Sequence, residues 1–506
     1  MQRTLFNLGQ EPGKDHPVSE LKRKLYQEFI IDRFDSPLGY LIFMSIGFAV
    51  AYFIGKGGTD AAFVLMGMAF GLPALIASVF HLRFGLFMTL IASVFILGIK
   101  RFIDDAVPLG VYIDACVLAL IFGLLVKQTR ERDLSFIKHP LSAFVLCWIG
   151  YSLFQGLNPH PSSIIPWVYT VRHIAFLMLI YFVALYVLDR PIYIRNLLRL
   201  WIGLASLGAL YGLKQEIWGF ADFEYNWVMD DPEIFELFFV ADRFRVFSFF
   251  SDPTVFGIMM AASALMCIPF IYDKKLDLSK RIILGVLASL MLIAMIFSGT
   301  RPAYIVFPAG LFLMTAMNPK REMFISSGVV LLIGIGLLVV PTDNTQILRL
   351  RTAFNPETTE SFQIREQNQA YIQPIIQEYP IGSGLGTTGI WGQRFAPERL
   401  LSQFPPDSGY VRLGVETGWI GLLFFCTFMA AILWTSVRTY FAAKKDSSKR
   451  YALAFFGFLF AMILAHYPQQ AITQLPNSIM FYISVAVIIR IGNIRWPEDR
   501  SAYLIE

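Results

Sequence analysis

Arginine recurs at four places where the apolar character of this chain breaks. Arg243 and Arg245 precede Asp252-Pro253 at the mouth of an apolar run. Arg301 follows Ser298-Gly299-Thr300 in a very short gap between two others. Arg349, Arg351 and Arg365 lie in a long polar stretch that leads to a glycine-rich segment, Pro380 to Gly389. Arg412 stands one helical turn before Glu416, shortly after Asp407 and Tyr410. A guanidinium is a planar fork of donors that fits phosphate and carboxylate oxygens. Ionisable groups at membrane depth are costly and usually face a cavity or a partner. Such residues suit the capture of an anionic group at a membrane rim. Structural alternatives stand beside that reading. Arg243 and Arg245 can pair with Asp242, Asp252 or lipid headgroups, and Arg301 can snorkel to the interface. Arg412 can pair with Glu416 at i, i+4. Asp407 has no local cation to neutralise it, which makes it the candidate proton acceptor.

The glycines add a geometric requirement. Gly384 to Gly389 formally fits G-x-G-x-x-G, but no buried strand precedes it and Ile390-Trp391-Gly392 follows it, so a dinucleotide fold is excluded. The segment reads instead as a tight turn whose backbone approaches another element or a ligand. Gly414, Gly418 and Gly421 would let a neighbouring helix pack closely.

These residues must be positioned by membrane-spanning helices. Of 506 residues, 56% are hydrophobic and 16% charged, against about 25% charged in a soluble domain, and the mean hydropathy is +0.57. Apolar runs near 37–55, 60–80, 84–99, 109–126, 140–157, 173–188, 195–215, 252–272, 282–298, 302–317, 323–340, 408–437, 451–466 and 478–492 predict about fourteen spans (about 12–14). The fold class is therefore an all-α integral membrane protein. The net charge of +5 comes from Lys and Arg in alternate short connectors, which places both termini in the cytoplasm and argues against nucleic acid as a partner. The expected divisions are a cytoplasmic tail (1–36), a helical bundle (37–215), a loop (216–251), helices (252–340), a large loop (341–407), C-terminal helices (408–492) and a cytoplasmic tail (493–506). The first loop is rich in acids and aromatics, among them Trp218, Phe220 and Trp227. Within the second, Thr359 to Gln377 predicts an amphipathic helix. Asp114 lies inside a span, with an ion path or a partner on another helix as its two readings. Cys116, Cys147, Cys267 and Cys426 lie in apolar segments without metal spacing, and His160, His173 and His466 are too scattered to suggest a cluster. No Walker loop, zinc site or DxD motif is present, so no cofactor and no metal are expected.

In order and membrane context these stretches resemble the O-antigen ligase / polysaccharide polymerase (Wzy-type) superfamily, from about Arg243 to Gly421. The resemblance rests on Arg243 and Arg245 before Pro253, Phe256 and Gly257, on Ser298, Thr300 and Arg301, on Arg365 before Pro380, Gly382, Gly384 and Gly386, and on Glu416, Gly418 and Gly421. Members often carry His followed by Asn or Ser before the last helix, where this chain has Asp407-Ser408. The resemblance implies a GT-C-like, metal-independent, inverting glycosyltransferase of the bacterial inner membrane, working on the periplasmic face. Its donor would be a polyprenyl-diphosphate-linked oligosaccharide. Asp407, Arg301 and Arg365 would be catalytic. Arg243, Arg245, Arg349, Arg351, Ser298, Tyr410, Arg412 and Glu416 would bind diphosphate or glycan. Membrane lipid, a chain-length regulator and a flippase are the further partners implied, and the aromatic and acidic loop 217–250 would stack on and hydrogen-bond sugar rings. Three readings follow: a polymerase joining lipid-linked repeat units, a ligase transferring glycan to lipid A-core, and a transporter or flippase of lipid-linked sugars.

Overall fold

The computed structural model describes residues 37–102, 109–161, 163–240, 242–339, 341, 347–348, 351, 360–404 and 408–496. Asp407 and Arg349 lie outside them. The two apolar runs expected between residues 37 and 80 join without a connector. Helix α1 (Pro37–Met66) continues through Gly58, whose φ of +60° kinks it, and a π turn (Gly67–Gly71) leads into α2 (Leu72–Phe80). The chain from Pro73 onward, and so all of α2 but Leu72, belongs to a second compact unit.

That unit runs through α3 (Leu82–Ile99), α4 (Gly110–Glu131), α5 (Pro140–Phe154), α6 (Ile165–Ile174), α7 (Ile180–Val187) and α8 (Pro191–Trp218). The expected span at 173–188 starts earlier and is broken: α6 ends at Ile174, a short 3-10 turn (Phe176–Leu179) intervenes, and α7 completes the crossing. Next come α9 (Asp222–Met229), α10 (Pro232–Phe238) and the antiparallel pair β1 (Phe239–Val240) and β2 (Arg243–Phe244). Then follow α11 (Pro253–Ile271), α12 (Leu278–Phe297), α13 (Arg301–Met317) and α14 (Arg321–Val339). The large loop contributes α15 (Glu360–Glu378), where its polar pattern predicted a helix, and α16 (Gly389–Phe395). The chain closes with α17 (Gly409–Ala442), α18 (Asp446–Ala465) and α19 (Asn477–Asn493). Among the described residues ten helices are long and apolar enough to cross a membrane, and three shorter apolar ones accompany them. The protein is an all-α, multi-pass membrane protein.

Helix α11 is the axis of the unit. Every side chain from Val255 to Phe270 is buried, and the helix packs against α8, α12, α13 and α18. A helix apolar all round can occupy only such a central place or a lipid-facing one. Helix α14 takes the second option: of its residues only Met323 is buried, and Phe324, Leu331, Leu332 and Val339 stand exposed. Lipid is the solvent that tolerates them.

The aromatic loop after α8 departs from expectation. Phe220, Trp227, Ile234, Phe235 and Phe244 pack around buried Val228, Phe238 and Phe247 in a small core of their own. Rings read as sugar platforms therefore face one another, since burying them against their neighbours removes their apolar area from water. Trp218 and Tyr225 remain exposed. Intramembrane Asp114 has its partner on another helix, Arg172 Nε at 3.0 Å.

Candidate functional site

The first wall of the site is the start of α11. Asp252 caps that helix, Oδ1 accepting from the amides of Thr254 (2.8 Å) and Val255 (2.9 Å), with Pro253 at the first helical position. The chain reaches Asp252 through a braced turn. Gln215 Oε1 accepts from the amides of Ser248 (2.7 Å) and Phe247 (3.2 Å), and Arg101 donates to the carbonyls of Ser248 and Phe250. Ser248 itself holds a φ of +56°, a strained value for a residue with a Cβ.

Arg245 ties this wall to the Ser298–Arg301 break. Its guanidinium is buried and donates to the Ser298 carbonyl (2.9 Å), the Leu237 carbonyl (3.1 Å), Thr300 Oγ1 (3.2 Å) and Thr254 Oγ1 (3.4 Å). Thr300 in turn donates to the Pro253 carbonyl at 2.9 Å. Gly257 allows the approach, because a Cβ there would overlap Ser298 Oγ. Arg301 opens α13 beside this knot, half-buried.

The second wall is the start of α17. Gly418, at φ +71°, breaks that helix, and a break deprives carbonyls one turn earlier of their intrahelical donors. The glycine loop supplies replacements. Ser383 N donates to the Val415 carbonyl (2.9 Å) and Gly384 N to the Glu416 carbonyl (3.0 Å), while Ile420 N turns to the Pro380 carbonyl (3.3 Å). Gly382, Gly384 and Gly386 all hold positive φ. The close approach expected of this loop is thus made to α17. It also corrects the reading of Gly418 as a helix-packing residue, for its neighbour is loop backbone.

The loop delivers Thr388 to the buried carboxylate of Glu416, whose Oε1 accepts from Thr388 Oγ1 (2.6 Å) and Arg412 Nε (3.0 Å). Arg412 Nη1 donates to Gln470 Oε1 at 2.6 Å. Glu416 Oε2 is buried with no hydrogen-bond partner among the described residues.

The two walls face one cleft of about 270 Å³, lined among others by Thr170, His173, Asp252, Trp391, Arg412 and Gln470. Of the residues proposed for the site, Arg412 lines the cleft, Arg245 and Ser298 are bonded together beside the start of α11, and Arg301 follows them at the start of α13. Arg243 is apart, exposed and paired with Glu216 at 2.6 Å. Arg351 donates to the Leu337 carbonyl near the end of α14. Tyr410 points into α18, its hydroxyl on the Ile463 carbonyl (3.1 Å) and its ring against His466. Arg365 lies on α15, its side chain outside the described residues. His173, Gln470 and Trp391 were not legible as site residues. His173 carried the only signal, an ionisable group within an apolar span.

Residues 286–426 match the family model described as O-Antigen ligase. A search of curated proteins gave no match. The matched segment contains the Ser298–Arg301 break, the glycine loop and the Arg412–Glu416 pair. Through this segment, which gives the cleft Trp391 and Arg412, the chain is similar to the O-antigen ligase / polysaccharide polymerase (Wzy-type) superfamily.

Proposed function

We propose that this protein is a polysaccharide polymerase. It transfers a polyprenyl-diphosphate-linked glycan to a sugar hydroxyl of a second lipid-linked repeat unit, on the periplasmic face of a bacterial inner membrane with both termini cytoplasmic. The observation that carries the reading is the Arg412 guanidinium, held by Glu416 and Gln470 at a cleft that also contains Asp252 and His173. In the reaction the acceptor hydroxyl forms a bond to the anomeric carbon as the bond from that carbon to the diphosphate oxygen breaks, with inversion. The electron pair leaves with the diphosphate, and fixed cations stabilise the charge that develops there. Arg412 fills this role at the cleft, Arg301 and Arg365 are assigned to it with the family resemblance, and Arg243 and Arg349 are assigned to binding the anionic donor. Arg245 holds the Arg301 break in place. Asp407 takes the proton of the acceptor hydroxyl.

The test is an assay of the purified protein in lipid with the lipid-linked repeat unit as sole substrate. A ladder of longer lipid-linked glycans supports polymerisation. Transfer that waits for added lipid A-core makes the protein a ligase. Silence in both, with movement of the substrate across the bilayer, makes it a transporter.

A further inference from the structure

The cleft carries a feature that neither diphosphate binding nor proton transfer uses. Trp391 stacks on Tyr169 with ring centroids 4.2 Å apart and planes 17° from parallel. Tyr169 stacks again on Phe395, one turn further along α16, at 5.6 Å and 16°. Trp391 and Phe395 have centroids 6.3 Å apart and planes 16° from parallel, so three rings from two elements form one near-parallel cluster, and Trp391 is its member at the cleft. Stacking fixes the tilt of the indole and leaves it only half-buried. Around the same space stand groups that read hydroxyls: Asp252, Arg412 and the amides Gln470 and Gln474. Gln474 Oε1 and Thr170 Oγ1 are buried there with no hydrogen-bond partner among the described residues. Buried polar atoms are satisfied in most proteins, so a pair of orphans at one cleft asks for an explanation.

We propose that this end of the cleft is a subsite for one pyranose ring of the acceptor glycan, with Trp391 as its platform. A pyranose has an apolar face of C–H groups and a rim of hydroxyls. Its face lies on the indole, while the rim reaches the amides and Asp252. A diphosphate needs cations and gains nothing from an aromatic pile. The proposal rests on the glycosyltransferase reading, though binding can be measured without it.

The test uses full-length protein in lipid nanodiscs and the free repeat-unit oligosaccharide, released from the cell's own polysaccharide and carrying no diphosphate. Trp391→Ala is expected to weaken oligosaccharide binding at least about tenfold, the scale of losing a stacked ring face. Trp391→Phe, which keeps a face, should stay within about threefold of wild type. A folded Trp391→Ala protein that binds normally overturns the subsite. So does a wild-type protein that does not bind the free oligosaccharide. Should Trp391→Ala misfold, fluorotryptophan-labelled wild type decides: the resonance missing from Trp391→Phe must shift at millimolar oligosaccharide, and an unmoved resonance overturns the proposal. Binding without transfer refutes the polymerase and leaves the subsite, whereas transfer without binding does the reverse.

Discussion

Arg412 Nε lies 3.0 Å from Glu416 Oε1, one helical turn along α17, and Glu416 is wholly buried while the arginine is about one-fifth exposed. The carboxylate therefore acts as an anchor and the guanidinium as the end that reaches the cleft. Burying such a pair costs solvation on both sides, which the hydrogen bonds from Thr388 and to Gln470 offset. The Gly418 break makes the arrangement possible, since it brings the glycine loop and Thr388 onto α17.

Glu416→Ala should free the Arg412 side chain and reduce glycan transfer at least about a hundredfold, the loss of roughly 3 kcal/mol of transition-state stabilisation. Glu416→Gln keeps an acceptor for Arg412 and should fall between, near tenfold. Single-turnover rates on the lipid-linked substrate decide. An alanine variant with a wild-type rate removes Arg412 from the mechanism.

Gly418→Ala adds a Cβ where the Pro380 carbonyl stands, on a backbone at φ +71°. With ψ at 178° this is the extended positive-φ region open essentially to glycine, which costs an L-residue about 1–3 kcal/mol, and the overlap adds to it. The variant should melt several degrees lower in detergent and lose transfer, because the loop cannot seat. Gly285→Ala, with open space around its Cβ, is the control and should melt as wild type. Equal melting of the two variants would refute the loop lock.

Arg245 and Arg301 should separate by phenotype. Arg245 donates to four buried or half-buried acceptors, and bonds from a charged donor contribute about 1.5–3 kcal/mol each. Arg245→Ala should therefore reduce the yield of folded protein. Arg301→Ala should express and melt as wild type yet abolish transfer. Wild-type transfer in the Arg301 variant would end its assignment to the diphosphate.

Orientation can be read from labelling. Glu233→Cys, at an exposed site before the hairpin, should react with a membrane-impermeant maleimide on spheroplasts, and Lys444→Cys only after lysis. The opposite pattern would place the cleft on the cytoplasmic side.

The sequence alone determined the solvent of this protein and its helical class, and it marked the four stretches to which chemistry is assigned. Those are local properties: apolar runs long enough for a bilayer, an Arg and a Glu one turn apart, glycines where backbone must come close. What closes on the glycines was not local. Gly418 could have met a helix, and only the folded chain shows it meeting Pro380 and Gly382. The assignment of Arg245 to carbonyls and hydroxyls of the protein, and of the loop aromatics to a core of their own, was likewise decided by packing. So was the meeting of His173, Asp252, Trp391, Arg412 and Gln470 at one cleft. The physical reason lies in the membrane. When nearly every helix is apolar on most faces, hydrophobic pattern marks the spans without saying which spans are neighbours. The neighbours are chosen by close packing and by a few buried hydrogen bonds between residues far apart in the chain.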